Sequence, residues 1–399
     1  MNFKAVVFAG AASLSLVLFT ASFAQKPLSF KTSLEITGMY ERNPWLFSQS
    51  EKESKDYVQD SYVVEYSPSL NLIYRSDFGS FSLNYRPNYK VYYPSGRRHY
   101  SLKSHQGELA GTLYFTDKLS LALSDRVADS VVGTESRSDV PSLQRRYTEN
   151  STNETLRYTP GSRLVLTLGH RSNNIAYRTE ADKRSNREDN SATASVGYRL
   201  GVRTEIGVTG DWGLVDYKTE EQTDRYDYSA RVYVQTTLAG IETTIRGEGG
   251  FETTKFKSRS NSGSLRNGRT GFNGLLSIAR DLGENTHAAI TGSASYLPSD
   301  QATGAFYKNT SVEASVRQLF LGRIEAMFNG EVRRRRYEEE EDRTDYAYRA
   351  SAQLGYRLFK WLSIRGGYTF SKVDSTIETY EYDEHVVEAS VYVEYSSPK

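Results

Sequence analysis

The chain has no cysteine, only nine prolines and three methionines in 399 residues, and no excess of charge of either sign. Without cysteine there is no disulfide framework, no thiolate metal site, no Cys nucleophile and no lipid-modified N-terminal cysteine. The net charge of +1 lacks the basic excess of a dedicated nucleic-acid binder, so no nucleic-acid partner is expected. Long apolar runs are missing after residue 24, and nothing there approaches the ~18–20 apolar residues of a membrane helix. Charged residues at 25% also argue against a helical membrane protein. What is abundant is tyrosine, with 30 copies beside 17 Phe and 3 Trp.

Residues 1–24 have the form of an export signal. Lys4 precedes an apolar run from Ala5 to Phe19, and Ser22 and Ala24 occupy the small-x-small positions of a cleavage site. Cleavage is expected after Ala24, leaving 25–399 as one structural unit that works outside the cytoplasm.

Beyond the signal, apolar and polar residues alternate at the period of a half-buried strand. Ile206, Val208, Gly210, Trp212 and Leu214 point one way, and Glu205, Gly207, Thr209, Asp211 and Gly213 the other. Leu362, Ile364, Gly366, Tyr368 and Phe370 repeat the pattern, as do Val387, Ala389, Val391, Val393 and Tyr395. Leu119, Leu121 and Leu123 form a shorter example.

The strands are punctuated by two kinds of connection in alternation. Tight turns are expected near 76–79, 116–118, 160–162, 200–203, 239–241, 281–285, 321–323 and 359–361. Longer polar loops are expected near 41–56, 94–98, 131–146, 179–188, 219–224, 258–268, 299–304, 338–343 and 376–381. These delimit about 18 strands, far above the ordinary strand content of a soluble protein.

A propeller would need four short strands per repeat, not two long ones. An even number of long strands, short turns on one side and longer loops on the other fits a membrane barrel, because a sheet in hydrocarbon must close on itself. The expected fold is therefore all-β, a single antiparallel transmembrane β-barrel. Its short turns and both termini are expected on the periplasmic side. Tyr40, Tyr62, Tyr92, Tyr177, Tyr217, Tyr296, Tyr337 and Tyr380, near strand ends, are expected to form aromatic girdles at the lipid headgroups.

Gly197-Tyr198-Arg199-Leu200 and Gly355-Tyr356-Arg357-Leu358 each close a strand pair, and Ile364-Arg365-Gly366-Gly367-Tyr368 follows the second. In these phrases the chain resembles the putative beta-barrel porins, second group, of Gram-negative outer membranes. The resemblance implies an outer-membrane barrel and, in some members, an association with exopolysaccharide export proteins. The chain departs from a common barrel ending in placing Ser396-Ser397-Pro398-Lys399 after Tyr395. Lipid, lipopolysaccharide and the barrel-assembly machinery are the other expected partners.

If the apolar alternates face lipid, the charged alternates face a lumen. The candidate pore-lining residues are Arg86, Arg199, Glu205, Asp211, Arg231, Glu313 and Arg317, with Arg323, Glu325, Arg349, Arg357, Arg365, Glu388 and Glu394. A barrel of about 16–18 strands leaves an aqueous channel, and mixed signs on its wall predict weak ion selectivity. The loop 131–146, with Glu135, Arg137, Asp139, Arg145 and Arg146, is a candidate constriction.

Catalytic and metal motifs are missing. His99, His105, His170, His287 and His385 show no metal-ligand spacing, so no metal, cofactor or enzymatic activity is expected. Arg333 to Arg336 followed by Glu338 to Asp342 reads as a solvated hairpin tip, with an anion grip as the sharper alternative. The functional expectation is a weakly selective diffusion channel for small hydrophilic solutes. The alternatives are a component of exopolysaccharide export and a structural barrel with a closed lumen.

Overall fold

The computed structural model describes residues 28–42, 60–94, 100–132, 145–178, 183, 185–219, 223–238, 240–257, 268–298, 306–338 and 343–396. The expected signal at 1–24, residues 133–144 of the candidate constriction 131–146 and most of the other long loops lie outside them, while 131–132 and 145–146 belong to strands.

Eighteen strands follow one another. They are β1 (Ser29–Arg42), β2 (Asp60–Ser76), β3 (Gly79–Pro94), β4 (Tyr100–Thr116), β5 (Leu119–Val132) and β6 (Arg145–Tyr158). Next come β7 (Leu164–Tyr177), β8 (Arg187–Arg199), β9 (Thr204–Tyr217), β10 (Arg225–Leu238), β11 (Thr243–Phe256) and β12 (Arg269–Asp281). The last are β13 (Thr286–Pro298), β14 (Phe306–Phe320), β15 (Ile324–Tyr337), β16 (Thr344–Phe359), β17 (Leu362–Ser375) and β18 (Tyr382–Ser396).

Each strand pairs antiparallel with the next, and β1 pairs with both β2 and β18, which closes the sheet. Closure gives every strand two partners and leaves no open edge to be hydrogen-bonded by solvent. The fold is thus the all-β antiparallel barrel that the alternation predicted. No helix among the described residues is long and apolar enough to cross a membrane.

The two kinds of connection fall on opposite rims. Asp77 and Phe78 join β2 to β3, and Lys360 and Trp361 join β16 to β17, at the short-turn rim where β1 begins and β18 ends. Gly240, Gly283 and Gly322 lie in three of these turns with φ of 79°, 77° and 66°, a left-handed conformation in which a Cβ is costly. The opposite rim carries the longer connections, such as that from Arg42 to Asp60.

The register shows which residues share a face. Ile206 on β9 stands opposite Val234 on β10 and Tyr198 on β8, and Val208 opposite Val232 and Val196. The apolar row recurs on other strands through pairs such as Phe251 and Phe272, Ile278 and Ile290, and Leu34 and Val393. Its members are among the exposed large hydrophobic residues of the chain, the signature of a wall that faces hydrocarbon. From Tyr226 to Leu238 on β10 the outer row runs about 40 Å along the strand, or roughly 30 Å of height at a barrel tilt near 40°.

Aromatic residues cluster at the ends of the outer row. Tyr40 and Tyr62 pack with ring centroids 5.3 Å apart, and Tyr66 and Tyr89 at 6.4 Å. At the short-turn rim Phe359 stacks on Trp361 at 5.4 Å. Four of the tyrosines expected in the girdle are elsewhere, however. Tyr92, Tyr177, Tyr217 and Tyr337 fall on the inner row, opposite Val63, Tyr147, Arg187 and Tyr307 respectively. At the end of a strand both faces meet an interface, so a tyrosine there has a place on either side. Tyr380 belongs to a short 3-10 turn, Glu378–Tyr380, between β17 and β18.

Candidate functional site: the inner wall

The inner row is polar along most of its length. On β9, Glu205, Thr209 and Asp211 occupy it, and on β10, Asp227, Ser229, Arg231 and Tyr233. Thirteen of the fourteen charged residues singled out from the sequence stand on inner-row positions. Arg323 is the exception: it lies in the turn between Phe320 and Ile324 rather than on the wall. There the strand alternation stops one residue short, and its carbonyl accepts a hydrogen bond from the Arg357 amide at 2.9 Å.

The structure brings most of these charges into pairs. Asp211 accepts hydrogen bonds from Thr193 at 2.7 Å and from Ser229, and forms an ion pair with Arg231. Arg231 also reaches Glu248 at 3.6 Å. Arg199 lies 3.5 Å from Glu205, which accepts a hydrogen bond from the Tyr233 hydroxyl at 2.9 Å. Arg317 pairs with Glu325. Across β18, Arg365 reaches Glu35 on β1 at 3.4 Å, and Lys31 meets Glu394 at 2.8 Å. Gln353 donates to Glu388 at 3.4 Å. Glu313 and Arg349 line one recess of the wall with Glu331 and Asn329.

Opposite charges in register on one wall cancel locally, so the lumen carries no continuous ring of one sign among the described residues. Such a wall is stable because water hydrates the groups from the lumen side. It offers both donors and acceptors to a passing solute.

Glycines allow long side chains to lie flat on this wall. Tyr233 extends from β10 over Gly207 on β9 and Gly197 on β8 to reach Glu205. A methyl group at Gly207 would stand 2.6 Å from the Tyr233 ring, and one at Gly197 would stand 2.8 Å from Glu205. The glycines keep the ring against the barrel and out of the lumen.

A repeated device secures the long-loop rim, and the sequence reading passed over it. Three hairpins end their first strand on Tyr and carry Arg-x-Asp where the next begins: Tyr177 with Arg187 and Asp189, Tyr217 with Arg225 and Asp227, and Tyr337 with Arg343, one residue before β16, and Asp345. In each, Arg and Asp two positions apart share the inner face and pair, at 3.2 Å for the first two and 2.6 Å for the third. Arg225 also donates to the Tyr217 hydroxyl at 3.3 Å. In the first two hairpins the residue before the Arg caps the preceding strand: Asn186 accepts from the Tyr177 amide at 2.6 Å, and Asp224 from the Tyr217 amide at 3.0 Å. The recurring spacing was the available sequence signal.

The third copy is the most enclosed. The Arg343 guanidinium, 1% exposed, lies 4.3 Å from the Tyr337 ring centroid and 3.4 Å from that of Tyr380. Asp345 takes a forked pair of bonds from it and a further one from Ser375 at 2.6 Å. Burial works to lower the Arg343 pKa, but the Asp345 hydrogen bond and the nearby Tyr337 and Asp345 outweigh it and hold the pKa above its ordinary value. Arg333 to Arg336, read as a hairpin tip, are instead residues of β15. Arg333 pairs with Glu331 on the inner face, and Arg334 lies over the Tyr346 ring at 5.6 Å on the outer.

No group of His, Asp and Glu able to hold a metal ion occurs among the described residues. Of the histidines, His170 lies 3.8 Å from Glu154, and the His287 ring is 2.6 Å from Asp281.

Comparison with known proteins bears on the C-terminal part of the chain most directly. Residues 282–395 match the model of the family described as "Putative beta-barrel porin 2". They include Gly355-Tyr356-Arg357-Leu358 and the β17 phrase on which the resemblance was read. No curated protein matches the chain. Among solved structures, it is similar to Pseudomonas aeruginosa OccK9 (OpdG), with a TM-score of 0.49 and 12% identity over 92% of this chain and 98% of that one. It is also similar to Pseudomonas aeruginosa OpdK, solved with vanillate, with a TM-score of 0.47 and 11% identity over 92% and 99%. Acinetobacter baumannii OccAB4 gives a TM-score of 0.46 and 11% identity over 94% and 99%.

Proposed function

We propose that this chain, whose residues 282–395 match a porin family, is an outer-membrane channel for passive, weakly selective passage of small hydrophilic solutes. One observation carries the reading: an 18-stranded closed barrel that is largely apolar outside and studded with paired charges inside. A structural barrel could fill its interior with apolar side chains, whereas among the described residues buried apolar ones are few and scattered. A wall of hydrated ion pairs suits water and polar solutes and imposes little preference for the sign of an ion. The short-turn rim, with both ends of the barrel, is the periplasmic side, in keeping with an export signal at 1–24. The inner-row charges are the pore-lining residues.

Liposome swelling tests this. Vesicles holding the refolded barrel should swell in isosmotic solutions of small neutral sugars, at rates falling with solute size. Vesicles that swell no faster than protein-free controls would refute passive passage.

A further inference from the structure

The outer row is not apolar all the way round. On β10 it stays free of charge from Leu238 to Tyr226, but on β5 to β8 it changes character partway up the wall. Leu119, Leu121 and Leu123 on β5 are followed by Asp125, and Tyr158 and Leu156 on β6 by Glu154. Leu164, Leu166 and Leu168 on β7 are followed by His170 and Ser172, and the row on β8 reaches Asn190. The apolar stretch on β7 spans about 13 Å along the strand, a third of that on β10.

The polar residues face one another in register. Asp125 stands opposite Thr152, which donates to it at 3.3 Å, and Glu154 stands opposite His170, 3.8 Å away. Ser172 stands between Thr152 and Asn190. Both Glu154 and His170 are about half exposed, at 51% and 50%. In register with His170, the outer row continues through Ala192, Trp212 and Tyr228 on β8 to β10. Hydrocarbon offers Glu154 and His170 neither donor nor acceptor.

We propose that the polar arc on β5 to β8 is the contact surface for a second copy of this chain, so that the channel works as a symmetric oligomer. The inference rests on the membrane-spanning reading above. The arc carries carboxylate acceptors beside hydroxyl, amide and imidazole donors, so it is complementary to itself, as a contact between identical subunits requires. Its carboxylates disfavour anionic lipid headgroups as the occupant. It covers four adjacent strands of eighteen, so its polar groups form one continuous patch rather than isolated points.

Photo-crosslinking in intact outer membranes tests the proposal. A benzophenone amino acid replaces Ser172, Thr152 or Leu354 in separate full-length variants, each checked for the heat-dependent gel migration of a folded barrel. Ultraviolet light should convert the Ser172 and Thr152 variants to a product of twice the chain's mass, containing only this sequence. Leu354, on the opposite outer face, should yield lipid adducts and no such product. Lipid adducts alone at 172 and 152, no adduct at either, or a product with a different protein would overturn it. Loss of lipid adducts at Leu354 would instead count against the membrane-spanning reading itself.

Discussion

Arg343 shows how a strongly charged side chain can be buried at the end of a strand. Two tyrosine rings cover its faces, Asp345 takes the fork, and Ser375 completes the carboxylate's hydrogen bonds. Removing the guanidinium leaves the Asp345 carboxylate enclosed and short of donors. Breaking one side of a buried pair costs about 3–5 kcal/mol, so Arg343→Ala should lower the thermal unfolding midpoint of the refolded barrel, followed by circular dichroism. Arg343→Lys should recover only part of that loss, because an ammonium group cannot fork onto a carboxylate or stack between two rings. A melting curve for Arg343→Ala that matches the parent would contradict the clamp.

At the scale of the strand, glycine placement decides how much of the lumen a side chain occupies. Gly207→Val should push Tyr233 off the wall and break its bond to Glu205. We expect a loss of about 1–3 kcal/mol in stability from the overpacking, together with a smaller conductance step. Tyr233→Ala in the same chain should return the conductance toward the parent value but not the stability, because the added side chain still meets the Val196 carbonyl.

Strand positions and connections were legible in the sequence because period-2 alternation and turn residues are local signals. Leu362 to Phe370 and Leu119 to Leu123 each identified a strand and its faces without reference to any neighbour. What was not legible needed register. Tyr92 and Tyr93 are adjacent and chemically identical, yet only their register, Tyr92 opposite Val63 and Tyr93 opposite Tyr62, separates the inner from the outer. Arg323 was assigned to the wall because alternation was carried one residue into a turn. The polar arc was hidden for a similar reason. Asp125 and Glu154 look like ordinary polar alternates until their partners place them on the outer row. The Arg-x-Asp pairs were visible as text, but their meaning depends on both side chains sharing one face two residues apart.

At the scale of the molecule, the barrel replaces a hydrophobic core with a closed hydrogen-bonded sheet and a solvent that is apolar outside and aqueous inside. The paired charges on the inner wall make it close to neutral overall, and this gives a prediction for selectivity. Asp211→Asn leaves Arg231 with Glu248 alone and should shift the reversal potential in a salt gradient toward anions. Arg231→Gln should shift it toward cations. If neither substitution moves the reversal potential, these residues do not line the path of the ions.

The measurement that bears most directly on the central claim is single-channel conductance of the refolded chain in a planar bilayer, under symmetric salt and then under a salt gradient. A closed barrel with a water-filled polar lumen predicts steady, ohmic steps with a reversal potential close to zero in the gradient. A correctly folded barrel that inserts and passes no current would contradict the account.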